Sequence, residues 1–193
     1  MSAAADFIVS RLEAESDPYR AEAEAQRLGG GLLVLGASVG AVRGTVRDAL
    51  HKFAPLGRDD IASLASELWA GIVFEHRLAA VVLLQTRVTG LDNGDLTRIE
   101  GFVRSGRHAA LVEPLCRDVV GPLVRALDGG GRAKAETTIE RWAHEPDAWV
   151  RRAASLIADH VVAAGADGGA TGGVEPWARR VRAAVAAASD GRR

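Results

Sequence analysis

The sequence predicts an all-α protein, and three observations carry that prediction. Ala dominates the apolar residues while aromatics are only 5% of the chain, and Ala is the strongest helix former. Apolar residues recur at the spacing of an amphipathic helix in segment after segment, and no segment alternates like a half-buried strand. Gly and Pro clusters punctuate these segments at short intervals, as they do between short packed helices.

Taken in order, residues 4–27 read as an amphipathic opening helix broken near Pro18. The stretch 29–36, GGGLLVLG, reads as a flexible loop. It lacks the Gly-Lys-Ser/Thr ending that a phosphate-cradling P-loop needs. Ser38 is a suitable N-cap for a helix over 39–53, and Pro55 ends it. Asp59 is the expected cap of a helix over 60–70, followed by a strongly apolar helix over 73–87. LDNGD at 91–95 is a turn, and a helix from 95 ends at Gly106. Residues 108–127 are helical with Pro114 and Pro122 inside. Each proline removes a backbone donor, so a kink or a split is expected. Three glycines at 129–131 break the chain again. Helices over 136–145 and 146–162 follow, with Pro146 in a first turn, and an Ala-rich helix over 177–188 closes the chain.

The pairs 60–87, 95–127 and 136–162 repeat at roughly 40 residues, the period of HEAT-like repeats. The expected architecture is an α-α superhelix, a solenoid curved so that one concave face is left for a large ligand. The expected organisation is a helical-repeat domain over 1–164, a Gly-rich linker over 165–176 and a C-terminal helix and tail over 177–193.

Composition narrows the function classes. Cys116 is the only cysteine, so there is no intrachain disulfide and no cysteine metal cluster. The five histidines show no ligand spacing such as His-Glu-x-x-His, so neither a metal nor another cofactor is expected. The N-terminus has no basic start followed by an apolar core, and the longest apolar runs, 79–84 and 31–36, are too short to span a bilayer. A cytoplasmic monomer without a membrane partner is expected. Net charge is −1, but residues 1–26 carry −4, which leaves +3 on the remainder. Nearly every base is Arg, Lys52 and Lys134 being the two lysines. Arg forks pair bidentately with phosphate.

Four stretches, in order, carry a resemblance. LGASVGAVRGTVRDAL (35–50) has a Leu-Gly pattern leading into a basic helix. LASELWAGIVFEHRLAAVVLLQ (64–85) has Leu-Trp, then Glu-x-Arg, then an apolar run. HAALVEPLCRDVVGPLV (108–124) has an acid in a short apolar helix, and IERWAHEPDAWVRRAASL (139–156) has a Trp, a turn, then Trp-x-Arg-Arg-Ala-Ala. Together they resemble the HEAT-like DNA alkylation repair family, over residues of about 35–160. The resemblance implies an N-glycosyl hydrolase. It would bind double-stranded DNA carrying alkylated purines and cut the N-glycosidic bond of cationic N3- or N7-alkylpurines.

The resemblance places the family's site Asp at Glu113 and its site Arg at Arg152, the catalytic candidates. Arg107, Trp149, Arg151 and Arg152 are the DNA-binding candidates. Ala109 stands where the family has an aromatic, and the family's second site Trp, in a Lys-Ala-x-Gly-Trp segment, has no counterpart up to Arg193. The implied activity is therefore weakened. On residue type alone, Glu113 also reads as a solvated helix residue, and Arg151 and Arg152 as a surface ladder. A non-catalytic DNA-binding or lesion-sensing relative and a HEAT-like protein–protein scaffold are the rival functions. Salt separates these two, because binding through Arg–phosphate contacts weakens steeply with salt.

Overall fold

The computed structural model describes residues 1–167 and 174–190. The described residues are all-helical apart from turns and one isolated parallel bridge between Leu33 and Val73. The chain forms two compact units, Met1–Arg87 and Val88–Arg193. In each, helices pack closely on one another, consistent with a helical-repeat architecture.

The first unit holds α1 (Ala3–Ala14), α2 (Pro18–Leu28), α3 (Val39–Lys52), α4 (Arg58–Trp69) and α5 (Phe74–Thr86). The break expected near Pro18 falls there because Asp17 caps α2, its carboxylate accepting the Tyr19 and Arg20 N–H groups. Ser38 caps α3 as its sequence position implies, accepting the Ala41 N–H at 3.1 Å. Asp59 does not cap α4. The helix starts two residues earlier than expected, and Gly57 is its N-cap. Asp60 reaches back to accept the Gly57 N–H at 2.9 Å, so the acid of the first turn does the capping from inside the helix.

The Gly-rich connection before α3 is pinned rather than loose. Glu75, 1% exposed, accepts the Leu35 N–H at 3.0 Å and the Gly36 N–H at 2.7 Å. The Gly36 carbonyl takes Arg20 Nε at 2.8 Å. Gly36 has φ +80°, and a Cβ there would collide with the Asp17 carbonyl. Only glycine suits that backbone. The Glu-x-Arg pair of the second stretch therefore has structural work. Arg77 donates to the Gly71 carbonyl at 2.8 Å and lies 5.5 Å from the ring centre of buried Trp69.

The second unit holds α6 (Asp95–Gly106), α7 (Ala109–Pro114), a π-helical turn (Leu115–Val120), α8 (Gly121–Ala126), α9 (Gly129–Ala143), α10 (Ala148–Asp167) and α11 (Val174–Asp190). Helix α10 is its axis, packing on α6, α7, the π turn, α8, α9 and α11. The two prolines split 108–127 as expected, and the split takes the form of a widened register. The Gly121 N–H reaches the Cys116 carbonyl five residues back. Cys116 lies in this turn at 1% exposure, where burial pushes the thiol up, with Glu113 adding and Arg152 opposing. It is a core residue and not a nucleophile.

Two expectations about punctuation fail. The three glycines 129–131 do not break the chain but form the first turn of α9, because Asp128 caps it through the Gly131 N–H at 3.1 Å. Pro146 is not in the first turn of α10 but precedes its cap. Asp147 Oδ1 accepts the Trp149 and Val150 N–H groups at 2.8 and 3.3 Å. Of the linker expected over 165–176, residues 168–173 lie outside the described residues, while 165–167 end α10 and 174–176 begin α11.

Candidate functional site

Helix α10 brings the sequence-derived candidates together in the second unit. Its first turns carry Trp149, Arg151 and Arg152, and its contact with α7 sets Arg152 beside Glu113. Arg152 Nη2 donates to Glu113 Oε1 at 2.6 Å. The pair is open to solvent, with the Arg152 side chain 51% and the Glu113 side chain 43% exposed. Trp149, one turn before Arg152 and half-buried, has its ring centre 6.0 Å from the guanidinium carbon. The guanidinium thus has a carboxylate as partner and an indole nearby, the geometry of a weak cation–π contact.

Arg151 faces elsewhere. Successive residues of a helix point about 100° apart, and Arg151 turns inward, 7% exposed. Its Nη1 donates to the Glu145 and Pro146 carbonyls at 2.7 and 2.8 Å. It clamps the turn between α9 and α10. Arg107 ends α6 with φ +43°, a left-handed conformation uncommon for a non-glycine residue. Its Nη2 donates to Asp147 Oδ2 at 2.9 Å, while its side chain stays 66% exposed. Asp147 therefore caps α10 with one oxygen and holds Arg107 with the other.

Sequence reasoning passed over a buried carboxylate of this unit that has three donors. Glu100, 7% exposed, accepts Arg104 Nη2 at 2.6 Å on one oxygen, and Arg141 Nη2 at 2.6 Å and Trp142 Nε1 at 2.7 Å on the other. Arg104 also donates to Glu145 at 2.7 Å. Burial would raise the Glu100 carboxyl, but Arg104, Arg141 and Trp142 outweigh it and hold it below the usual carboxylate range. A signal was present: Glu100 falls on the same stripe as Leu96, Ile99 and Val103, all buried, where a charge needs partners. With both oxygens taken, Glu100 fastens α6 to α9 and is not placed to activate water.

Glu113 differs in this respect. Its Oε2 has no hydrogen-bond partner among the described residues. Ala109, half-buried, begins α7 one turn before Glu113, so the surface beside the carboxylate carries no ring from α7. Trp177 is 1% exposed and donates to the Glu136 carbonyl at 3.3 Å, which makes it a core residue. Among the described residues no group of acids, histidines and cysteine is arranged to hold a metal ion. No described helix is long and apolar enough to cross a membrane.

A family model described as DNA alkylation repair enzyme matches residues 8–168. No curated protein matches the chain.

Proposed function

The chain belongs to the DNA alkylation repair enzyme family, and from that premise we propose that it hydrolyses the N-glycosidic bond of cationic N3- or N7-alkylpurines in duplex DNA, as a cytoplasmic monomer. The observation that carries this reading is the solvent-open Glu113–Arg152 pair with Trp149 beside it. An exposed ion pair is worth about 0–1 kcal/mol, so it yields readily to a better partner. A DNA phosphate is such a partner, because it takes the Arg fork with two charge-assisted hydrogen bonds. Arg152 then positions the backbone, with Arg107 as a second exposed cation of the same unit. Arg151 supports both by holding the turn before α10.

Engaging Arg152 frees Glu113. Alkylation at N3 or N7 gives the purine a positive charge, and the electron pair of the breaking C1′–N bond neutralises it. Positive charge then develops on the sugar, and the Glu113 carboxylate stabilises it. The same carboxylate takes the proton of the water that bonds to C1′. The products are the free alkylpurine and an abasic site. The test is release of 7-methylguanine from methylated duplex DNA by the protein and by Glu113→Gln. Release above the background rate that Glu113→Gln abolishes supports the reading, and equal release by both at the no-protein rate sinks it.

Ala109 favours a second reading. Without a ring from α7 beside Glu113, the site holds a cationic base less firmly, and the protein acts as a non-catalytic binder of alkylated duplex DNA. Salt-sensitive binding with no base release selects this function.

A further inference from the structure

We propose that the first unit carries a separate site for a nucleoside monophosphate, in the cavity between the side of α3 and the C-terminal end of α5. The cavity has a volume of about 590 Å³, within the range of small-molecule sites. Its wall is basic: Arg43, Arg47, His51 and Arg87 line it, and no acid does. Arg47 donates to the neighbouring Asp48 at 3.2 Å, an exposed pair, whereas the Arg43 and Arg87 guanidiniums have no acidic partner among the described residues. Its floor is apolar, formed by Leu50 and Val82, both buried.

Each feature selects part of the ligand. Three arginines around one cavity call for an anion with several acceptor oxygens, and a phosphate monoester matches their forks. Helix C-termini attract cations, which explains His51 in the last turn of α3 and Arg87 at the end of α5, but not Arg43 and Arg47 or an open apolar floor between the helices. That floor calls for a flat, weakly polar body attached to the phosphate. Gln85, half-buried on the wall, offers both a donor and an acceptor to the edge of such a body. A nucleobase on a sugar phosphate combines these properties and has a matching size. The nucleotide comes either free or as part of a DNA strand, and the chemistry of recognition is shared. The inference is independent of Glu113 and Arg152, which lie in the other unit.

The experiment titrates the full chain with deoxyguanosine monophosphate, deoxyguanosine and inorganic phosphate by calorimetry. Deoxyguanosine monophosphate is expected to bind, and each half of it alone to bind at least about tenfold more weakly, since charged hydrogen bonds and apolar burial both contribute. The Arg43→Gln/Arg87→Gln double variant is expected to lose about a hundredfold in affinity, tenfold for each charged contact. Both side chains are exposed, so an unchanged circular dichroism melt checks the fold. Arg180→Gln removes an exposed arginine of the other unit and is expected to leave the affinity alone. A single-stranded oligonucleotide that displaces the nucleotide identifies DNA as the source, and failure to displace it identifies the free nucleotide. The proposal is overturned if the mononucleotide does not bind, or binds the double variant as well as the parent. Loss of duplex DNA affinity in the double variant without mononucleotide binding also overturns it, because the arginines are then backbone contacts only.

Discussion

Arg152 Nη2 and Glu113 Oε1 meet at 2.6 Å across 39 residues of sequence, and both side chains remain open to solvent. The adjacent Arg151 is turned into the protein against two backbone carbonyls. This contrast separates stability from DNA contact. Arg151→Ala leaves two carbonyls without their donor and is expected to cost about 1–3 kcal/mol in urea unfolding. Arg152→Ala breaks only an exposed pair and is expected to cost about 0–1 kcal/mol. On duplex DNA the order reverses: Arg152→Ala weakens binding and lowers the slope of log affinity against log salt by about 1, while folded Arg151→Ala keeps the parent slope. Identical slopes for the parent and Arg152→Ala would remove Arg152 from the interface.

Glu100 gathers Arg104, Arg141 and the Trp142 indole on one buried carboxylate. Glu100→Gln keeps the shape but loses the charge. The arginines are partly exposed and recover some solvation, so the expected loss is about 1–2 kcal/mol rather than that of a fully buried pair. The pH dependence follows from the direction of the shift. The folded-state carboxyl lies below its ordinary value. Its contribution is therefore fully present above the unfolded value of about 4.3 and is lost as pH falls through the lower folded value. Urea midpoints of the parent and Glu100→Gln should converge in that acid range. A gap that stays constant from neutral pH down to the acid limit contradicts the linkage.

The helical class and most helix positions were legible because periodicity and capping are local. Ser38 and Pro18 act within a few residues of themselves, and both mark real boundaries. Asp59, the glycines 129–131 and Pro146 were misread for a related reason: a neighbouring acid, Asp60, Asp128 or Asp147, took over the cap. Partners distant in sequence were not legible. Glu75 reaches back 39 residues to Gly36, and Trp142 lies 42 residues from Glu100. Arg151 and Arg152 could not be told apart either, since which of two adjacent residues faces inward depends on the seating of α10 on its neighbours.

His76 Nε2 is buried with no hydrogen-bond partner, and burial lowers the imidazole below its ordinary value against the opposing pull of Glu13 and Glu75. A buried polar atom without a partner costs free energy, so His76→Leu is expected to stabilise the first unit by about 1 kcal/mol at neutral pH. The lowered folded value means that the neutral ring's contribution is present above the unfolded value of about 6.5 and lost as pH falls through the folded value. The gain from His76→Leu should therefore widen on mild acidification. Thermal unfolding at neutral and mildly acidic pH measures both effects. A loss of stability at neutral pH would show that the ring's packing outweighs its unpaired nitrogen.

Ala109 and Glu113 are four residues apart on α7, the spacing that puts two side chains on one helix face. Ala109 is half-buried at the first residue of the helix, so a large ring there can extend along the surface toward the carboxylate. Ala109→Trp supplies an aromatic face from α7, which the site lacks beside the Trp149 indole. A desolvated cation–π contact is worth about 2 kcal/mol, and at 1.36 kcal/mol per tenfold in rate, full expression in the transition state gives about a thirtyfold gain. Ala109→Leu adds apolar bulk without a π face and is expected to gain little. Single-turnover release of 7-methylguanine from methylated duplex DNA compares the three proteins, each also carrying Glu113→Gln. The expected result is a gain for Ala109→Trp that disappears with Glu113→Gln, since the ring holds the base while the carboxylate meets the sugar. An equal gain for Ala109→Leu points to surface packing instead, and a gain that survives Glu113→Gln moves the chemistry away from Glu113.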